Sequence, residues 1–375
     1  MNAQPNLGMQ PTTFDNPMGI DGFEFVEFAA PAGQVHHLHD YFRKLGFVQV
    51  ARHKTRPIST YRQGDCTFLI NEDPDSFAAR FAAQHGPSAC GFAIRVKKLA
   101  EWARVQALKN GAESFDAADE LTKAVAAPVI KGIGDCMLYI VDRYDDKGTI
   151  HDPDYEYLPG VDLMPKGFGL TFIDHLTHNL YHGNMAKWAD YYERLFNFRE
   201  IRYFDIQGEY TGLTSKAMTA PDGKIRIPLN EESKQGGGQI EEFLMQFNGE
   251  GIQHIALICD NLLEVVDKLG MAGVPLATAP NDVYYEMLDT RLPGHGQPVP
   301  ELQSRGILLD GTTADGTPRL LLQIFSTPML GPVFFEFIQR EGDYRDGFGE
   351  GNFKALFESL ERDQIRRGVL AADKA

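Results

Sequence analysis

Three side chains stand out for the chemistry they could do together. His175 lies in the β-like run Ile173-Asp-His-Leu-Thr-His, His254 in Gly251-Ile-Gln-His-Ile-Ala-Leu, and Glu336 in Val333-Phe-Phe-Glu-Phe-Ile. Period-two alternation puts Phe334, Glu336 and Ile338 on one strand face. A carboxylate in so apolar a strand costs several kcal/mol if buried without a partner, and a cation removes that cost. Two imidazoles and one carboxylate from three strands are the ligand type of non-haem Fe(II) oxygenases, with open positions left for a bidentate substrate and dioxygen. Spacing alone leaves other readings open. A lone strand histidine is more often a satisfied core or surface residue, and Glu336 at a sheet edge would face solvent. His178 points to the face opposite His175 and is the candidate most easily confused with it.

Other motifs carry less. In His36-His37-Leu38-His39-Asp40 a helix would bring His36, His39 and Asp40 to one face, a weak zinc site or a solvated surface. Gly347-Phe-Gly-Glu-Gly begins like a dinucleotide fingerprint, but Asn352 replaces the third glycine and no strand precedes it. Gly236-Gly-Gly238 reads as a flexible loop. No Gly-x-Ser-x-Gly elbow occurs. Cys66, Cys90, Cys136 and Cys259 are scattered without a CxxC pair, which excludes a disulfide scaffold and fits a reducing compartment.

The elements that must position the three ligands form a repeated pattern. Phe23-Glu-Phe-Val-Glu-Phe precedes a helical stretch Gln34–Leu45 and a run Phe47–Arg52, as the strand of His175 precedes Met185–Phe196 and Phe198–Phe204. Two further units begin at Cys90 and Gly251, each followed by a helix ending in glycine, Gly111 and Gly273. Four such units in two pairs are an internal duplication. The register places Glu24 opposite His175, Gly91 opposite His254 and Tyr139 opposite Glu336, so a second metal site is not expected in the first half.

A length of 375 residues predicts two domains. Residues 1–20 read as a loose arm, 21–150 as the first domain, 151–170 as a Pro/Gly-rich linker, 171–345 as the metal-bearing domain and 346–375 as a helical lid and tail. In the tail, Phe353, Leu356, Phe357 and Leu360 share one helical face. A net charge of −16 repels phosphate backbones and argues against a nucleic-acid partner. The most apolar stretch, Met329–Ile338, is too short to span a bilayer and contains Gly331, Pro332 and Glu336. No Lys or Arg precedes Arg43, so the expected location is cytoplasmic.

The words Asp174-His-Leu-Thr-His-Asn, Pro228-Leu-Asn-Glu, Gly251-Ile-Gln-His-Ile-Ala-Leu, Leu322-Gln-Ile-Phe, Phe335-Glu-Phe-Ile-Gln-Arg and Gly347-Phe-Gly-Glu-Gly-Asn-Phe, in this order, resemble the 4-hydroxyphenylpyruvate dioxygenase family. The resemblance runs from about residue 20 to 360. It implies an α+β, vicinal-oxygen-chelate fold with four βαβββ modules in two pseudo-repeated domains. It also implies Fe(2+) held by His175, His254 and Glu336, and conversion of 4-hydroxyphenylpyruvate and dioxygen to homogentisate and CO2 in tyrosine catabolism. By position it assigns Ser215, Asn230, Gln239, Gln253 and Gln323 to the polar lining of the substrate pocket. Phe325, Phe334, Phe348 and Phe353 would form its aromatic wall, with Asn352 and Leu356 from the closing segment. The keto acid would supply two electrons by oxidative decarboxylation, so no flavin or pterin is needed, and a homodimer or homotetramer is implied.

Three alternatives differ in class. A hydroxymandelate synthase would share fold, metal and substrate but oxidise a different carbon. An extradiol ring-cleaving dioxygenase would want a His or Tyr acid/base near a catecholate. A metal-free binding module of the same fold would have no use for an intact triad.

Overall fold

The computed structural model describes residues 14–207, 212–232, 237–280, 282–342, 344, 347–349, 351–352, 364 and 367–369. Two eight-stranded mixed sheets dominate it. The first takes β1 (Ile20–Ala29), β2 (Val48–His53), β3 (Ile58–Gln63), β4 (Cys66–Asn71), β5 (Ser88–Val96), β6 (Val129–Lys131), β7 (Met137–Val141) and β8 (Tyr155–Tyr157). Their spatial order is β6-β7-β5-β1-β4-β3-β2-β8. The second takes β9 (Leu170–Leu180), β10 (Arg199–Gln207), β11 (Gly212–Thr219), β12 (Arg226–Glu232), β13 (Gly251–Cys259), β14 (Leu308–Thr312), β15 (Arg319–Phe325) and β16 (Phe334–Glu341). Here the order is β10-β11-β12-β9-β13-β16-β15-β14.

The duplication is visible in the pairing. Each unit's first strand runs parallel to its last, β1 with β4, β5 with β7, β9 with β12 and β13 with β16. Units join through the antiparallel pairs β1–β5 and β9–β13. The helix after each opening strand is present: Val35–Lys44, Ala100–Lys109, Met185–Phe196 and Leu262–Met271. The second unit carries two strands after its helix, and the sheet's eighth place is taken by β8, which pairs with β2. Thus Tyr155–Tyr157, within the stretch expected to be a linker, adds a strand to the first sheet.

Alternation separates two faces on β9 and β16. Leu176 and Leu180 join Phe335 and Phe337 in the core shared by both halves. There the Phe335 ring lies 5.7 Å from that of Phe68 and 6.3 Å from that of Phe28. Tyr41 Oη donates to Ser326 Oγ at 3.2 Å across the same boundary. The opposite, concave face of the second sheet carries His175, Thr177, His254, Phe334 and Glu336. Its counterpart in the first sheet is filled by its own cluster, including Phe25, Leu69, Ala93 and Tyr139.

The central pair of each sheet breaks register three times, once at equivalent places beside the ligand positions. Between β9 and β13 the partners step from Ala256–His175 to Leu257–Ile173, leaving Asp174 as a bulge. Between β1 and β5 they step from Ala93–Phe25 to Ile94–Phe23, leaving Glu24 in the same role. Ala256 pairs with both His175 and Glu336, and Ala93 pairs with both Phe25 and Tyr139. Phe25, not Glu24, is therefore the counterpart of His175: the two bulged strands correspond at an offset of 150 residues, whereas the helix match of Tyr41 to Tyr192 gives 151. Gly91 and Tyr139 keep the positions expected of them.

All four cysteines are free and buried. Among the described residues no helix is long and apolar enough to cross a membrane. The tail expected to be a helical lid over 352–366 falls almost wholly outside the described residues, and so do Phe353, Leu356, Phe357 and Leu360.

Candidate metal centre and its pocket

Three neighbouring strands, β9, β13 and β16, bring His175, His254 and Glu336 together on the concave face. Glu336 sits inside the sheet, between β13 and β15, and only 3% of it is exposed. Its Oε2 lies 3.0 Å from His175 Nε2 and 3.4 Å from His254 Nε2. One metal bound at about 2.1 Å by ligand atoms at right angles sets those atoms about 3 Å apart, so the set fits a face of an octahedral ion. Ala256 is flanked in register by His175 and Glu336 and contributes only a methyl group there. Among the described residues this is the one group of His, Cys, Asp and Glu side chains so arranged.

Each ligand is oriented from behind. His175 Nδ1 lies 2.9 Å from Asp174 Oδ2, which leaves Nε2 for the metal. His254 Nδ1 lies 3.0 Å from Gln253 Oε1, while on its front side Nε2, the atom facing Glu336, also lies 2.9 Å from Thr177 Oγ1. Gln323 Nε2 donates to Glu336 Oε1 at 2.9 Å. Burial pushes the Glu336 carboxyl up, but the neighbouring imidazoles outweigh it and hold it at about 2. Burial pushes Asp174 up as well, while Arg340 and Arg226 hold it well below the usual carboxylate range. For His175 the pull of burial is overcome by Glu336 and Asp174, which favour the protonated ring, whereas burial keeps His254 low. In chemical terms Glu336 is an anion ready to face a cation.

The pocket in front of the triad is lined by Thr177, Leu213, Ser215, Pro228, Asn230, Gln239, Ile240, Gln253, Phe325, Phe334 and Phe348. Phe334 stacks on His254 with ring centres 4.9 Å apart, and the Phe348 ring meets that of His175 edge-on at 5.6 Å. Gln239 opens the helix Gln239–Phe247, whose N-cap is Gly238, so it projects from a helix start. Glu232 Oε2 accepts from Ile240 N at 3.1 Å and Glu241 N at 3.2 Å, fixing that end. Gln323 and Asn352 stand behind the lining: Asn352 Nδ2 donates to Gln323 Oε1 at 2.9 Å, and Gln323 holds Glu336. The sequence reading passed over Asp174, Thr177, Ala256 and Arg340. Period-two alternation could have signalled Thr177, Ala256 and Arg340, which share strand faces with His175, His254 and Glu336.

The two rejected histidine sets have other partners. His178 Nε2 lies 2.7 Å from Tyr192 Oη, on the face away from the triad. His39 bridges Tyr61 Oη at 2.8 Å and Glu72 Oε2 at 3.0 Å, while His36 and His37 are exposed with ring centres 3.9 Å apart. His36, His39 and Asp40 do not converge on a common point among the described residues.

Residues 14–156 match the family model "Hydroxyphenylpyruvate dioxygenase, HPPD, N-terminal", and 172–294 match that of the Glyoxalase/Bleomycin resistance protein/Dioxygenase superfamily. A 4-hydroxyphenylpyruvate dioxygenase of a Pseudomonas species is 59% identical over 360 residues, covering 96% of this chain and 99% of the relative. The chain belongs to the 4-hydroxyphenylpyruvate dioxygenase family. A second dioxygenase so named, from Pseudomonas aeruginosa, is 49% identical over 356 residues, covering 95% of this chain and 97% of its own. Among solved structures, a variant 4-hydroxymandelate synthase from Streptomyces coelicolor superposes with a TM-score of 0.76 at 25% identity, covering 92% of this chain and 99% of the other. Membership in the dioxygenase family thus comes with a vicinal-oxygen-chelate fold that a related synthase shares.

Proposed function

We propose that the protein converts 4-hydroxyphenylpyruvate and dioxygen to homogentisate and CO2, with Fe(II) held by His175, His254 and Glu336. The observation that carries this reading is a buried facial triad opening onto neutral amides and phenylalanines. The metal, when bound, supplies a chelation point for the α-keto acid and a site at which dioxygen is reduced by the electrons of decarboxylation.

The chain's own residues do the rest. No Lys or Arg is among the described lining residues, so the substrate carboxylate is matched by the metal charge that Glu336 only partly cancels. Ser215, Asn230, Gln239 and Gln253 offer uncharged donors and acceptors suited to a phenol. Phe325, Phe334 and Phe348 pack against the ring and keep water from the reacting atoms. Asn352 and Gln323 hold Glu336 in place. The same reading places the protein in the cytoplasm as a homodimer or homotetramer acting in tyrosine and phenylalanine breakdown.

A second reading, 4-hydroxymandelate synthesis, draws on the likeness to the Streptomyces enzyme. Incubation of the iron-loaded protein with 4-hydroxyphenylpyruvate under dioxygen, with product identification, separates them. Homogentisate is expected. 4-Hydroxymandelate as the main product would establish the second reading, and absence of turnover would leave a binding module.

A further inference from the structure

Arg340 lies on the same strand as Glu336 and touches two parts of the molecule at once. Its Nε and Nη2 donate to Asp174 Oδ1 at 3.1 Å and Oδ2 at 2.9 Å, a two-pronged grip on the carboxylate that orients His175. Its Nη1 donates to the main-chain carbonyls of Tyr344 at 3.0 Å and Gly347 at 2.7 Å. The next residue, Phe348, places its ring against His175 in the pocket wall. One planar guanidinium, 10% exposed, therefore ties a metal ligand's support to the backbone of the segment that ends over the pocket.

We propose that Arg340 is a positioning residue that couples metal affinity at His175 to the seating of the Tyr344 and Gly347 main chain. If the segment leaves, Arg340 loses two acceptors while still buried and is drawn toward water, which loosens its hold on Asp174. If a metal fixes His175, then Asp174 and the fork of Arg340 are fixed with it, and both carbonyls gain a rigid donor. Such coupling is reciprocal: the factor by which the seated segment tightens the metal is the factor by which the metal stabilises the seated segment.

The competing view is that the cluster is scaffold. The first half favours that view in part, since its bulge residue Glu24 is also paired, with Arg95, beside no metal ligand. But Arg95 spends its other donors on the Asp65 carboxylate, whereas Arg340 spends them on main chain at the pocket's edge. Whether the segment responds to metal is what divides the two.

The inference rests on the triad binding a metal, so Co(II) added to metal-free protein serves as probe and is itself the control. Deuterium uptake by peptides covering 344–352 is measured with and without Co(II), alongside the Co(II) dissociation constant, for the unmodified protein, Arg340→Met and Arg340→Lys. In the unmodified protein Co(II) should slow uptake roughly 10-fold; Arg340→Met should bind Co(II) roughly 10-fold more weakly and show no cobalt-dependent slowing. Arg340→Lys keeps a cation facing Asp174 without the fork, so it should lose the slowing too, and it carries the test if Arg340→Met fails to fold. Uptake indifferent to Co(II) in the unmodified protein, or variants with unchanged affinity and unchanged slowing, would overturn the coupling and leave the metal reading standing. Failure of the unmodified protein to bind Co(II) would remove both.

Discussion

Gln323 and Glu336 sit on neighbouring strands, and the Gln323 amide donates to Glu336 Oε1 at 2.9 Å. That bond occupies one carboxylate oxygen and leaves Oε2 between the two imidazoles. The other end of the Gln323 amide accepts from Asn352, which in turn accepts from Tyr284 Oη at 2.6 Å. The monodentate presentation of Glu336 is thus set by a chain of neutral groups running to the protein's C-terminal segment.

Glu336→Gln should keep the fold and lose the metal. A neutral amide cannot balance a divalent ion, and turnover should fall by more than about 100-fold. His36→Ala, on the exposed helix face, should leave both unchanged. Elemental analysis beside oxygen consumption checks the pair, and metal loss in His36→Ala would move the site.

One metal per chain is expected at saturation. In the first half the counterparts of the ligands are Phe25, Gly91 and Tyr139, and the Tyr139 hydroxyl donates to the buried Glu27 at 2.7 Å. Titration to two equivalents of tightly bound metal would contradict this.

Phe325→Val should redirect the reaction. The Phe325 ring lies 6.1 Å from that of Phe334 and crosses it edge-on, so the two form a corner that fixes the substrate ring. Shape selection of this kind is worth about 1–3 kcal/mol, so some 4-hydroxymandelate, or decarboxylation without ring hydroxylation, should appear. Product ratios by chromatography decide it; unchanged homogentisate yield would remove Phe325 from the selecting wall.

Acid should destabilise the protein through histidines that fold neutral. Burial pulls His178 down to about 3 and His151 down to about 4. The folded form binds these protons more weakly than the unfolded chain, so their stability contribution is whole above the ordinary value of 6.5 and shrinks as pH falls below it. The slope is about 1.4 kcal/mol per pH unit for each residue. His178→Leu should flatten the loss of urea resistance between pH 7 and pH 5 and leave metal content intact. An unchanged slope would show that His178 is not titrating on unfolding.

The triad could be read from the sequence because alternation is a local property: Phe334 and Glu336 must share a face wherever β16 lies. Asp174 could not, since its role depends on a bulge that only the pairing with β13 creates. Matching the helix words at Tyr41 and Tyr192, 151 residues apart, sets Glu24 against His175, whereas the paired strands correspond at 150 residues and put Phe25 there. Gly237 and Gly238 are loop, as read, but that Gly238 is the N-cap of the helix carrying Gln239 and that Glu232 accepts from that helix start do not show in a glycine run. The resemblance assigns Gln323 to the polar lining and Asn352 to the closing segment; that they also bond to each other and, through Gln323, to Glu336 is a contact that motif position does not encode.

Gly91 closes the first half of the duplication to a second ligand set. A Cβ there would meet the Met137 carbonyl oxygen at 2.9 Å and Glu27 Oε2 at 3.3 Å. Glu27 is itself held by Asn71 and Tyr139, so removing either leaves a buried carboxylate short of a partner at a cost of about 1–3 kcal/mol. Restoring an imidazole at Gly91 therefore demands several simultaneous replacements, and each taken singly lowers stability. The first half is thus closed, step by step, to a ligand set of its own.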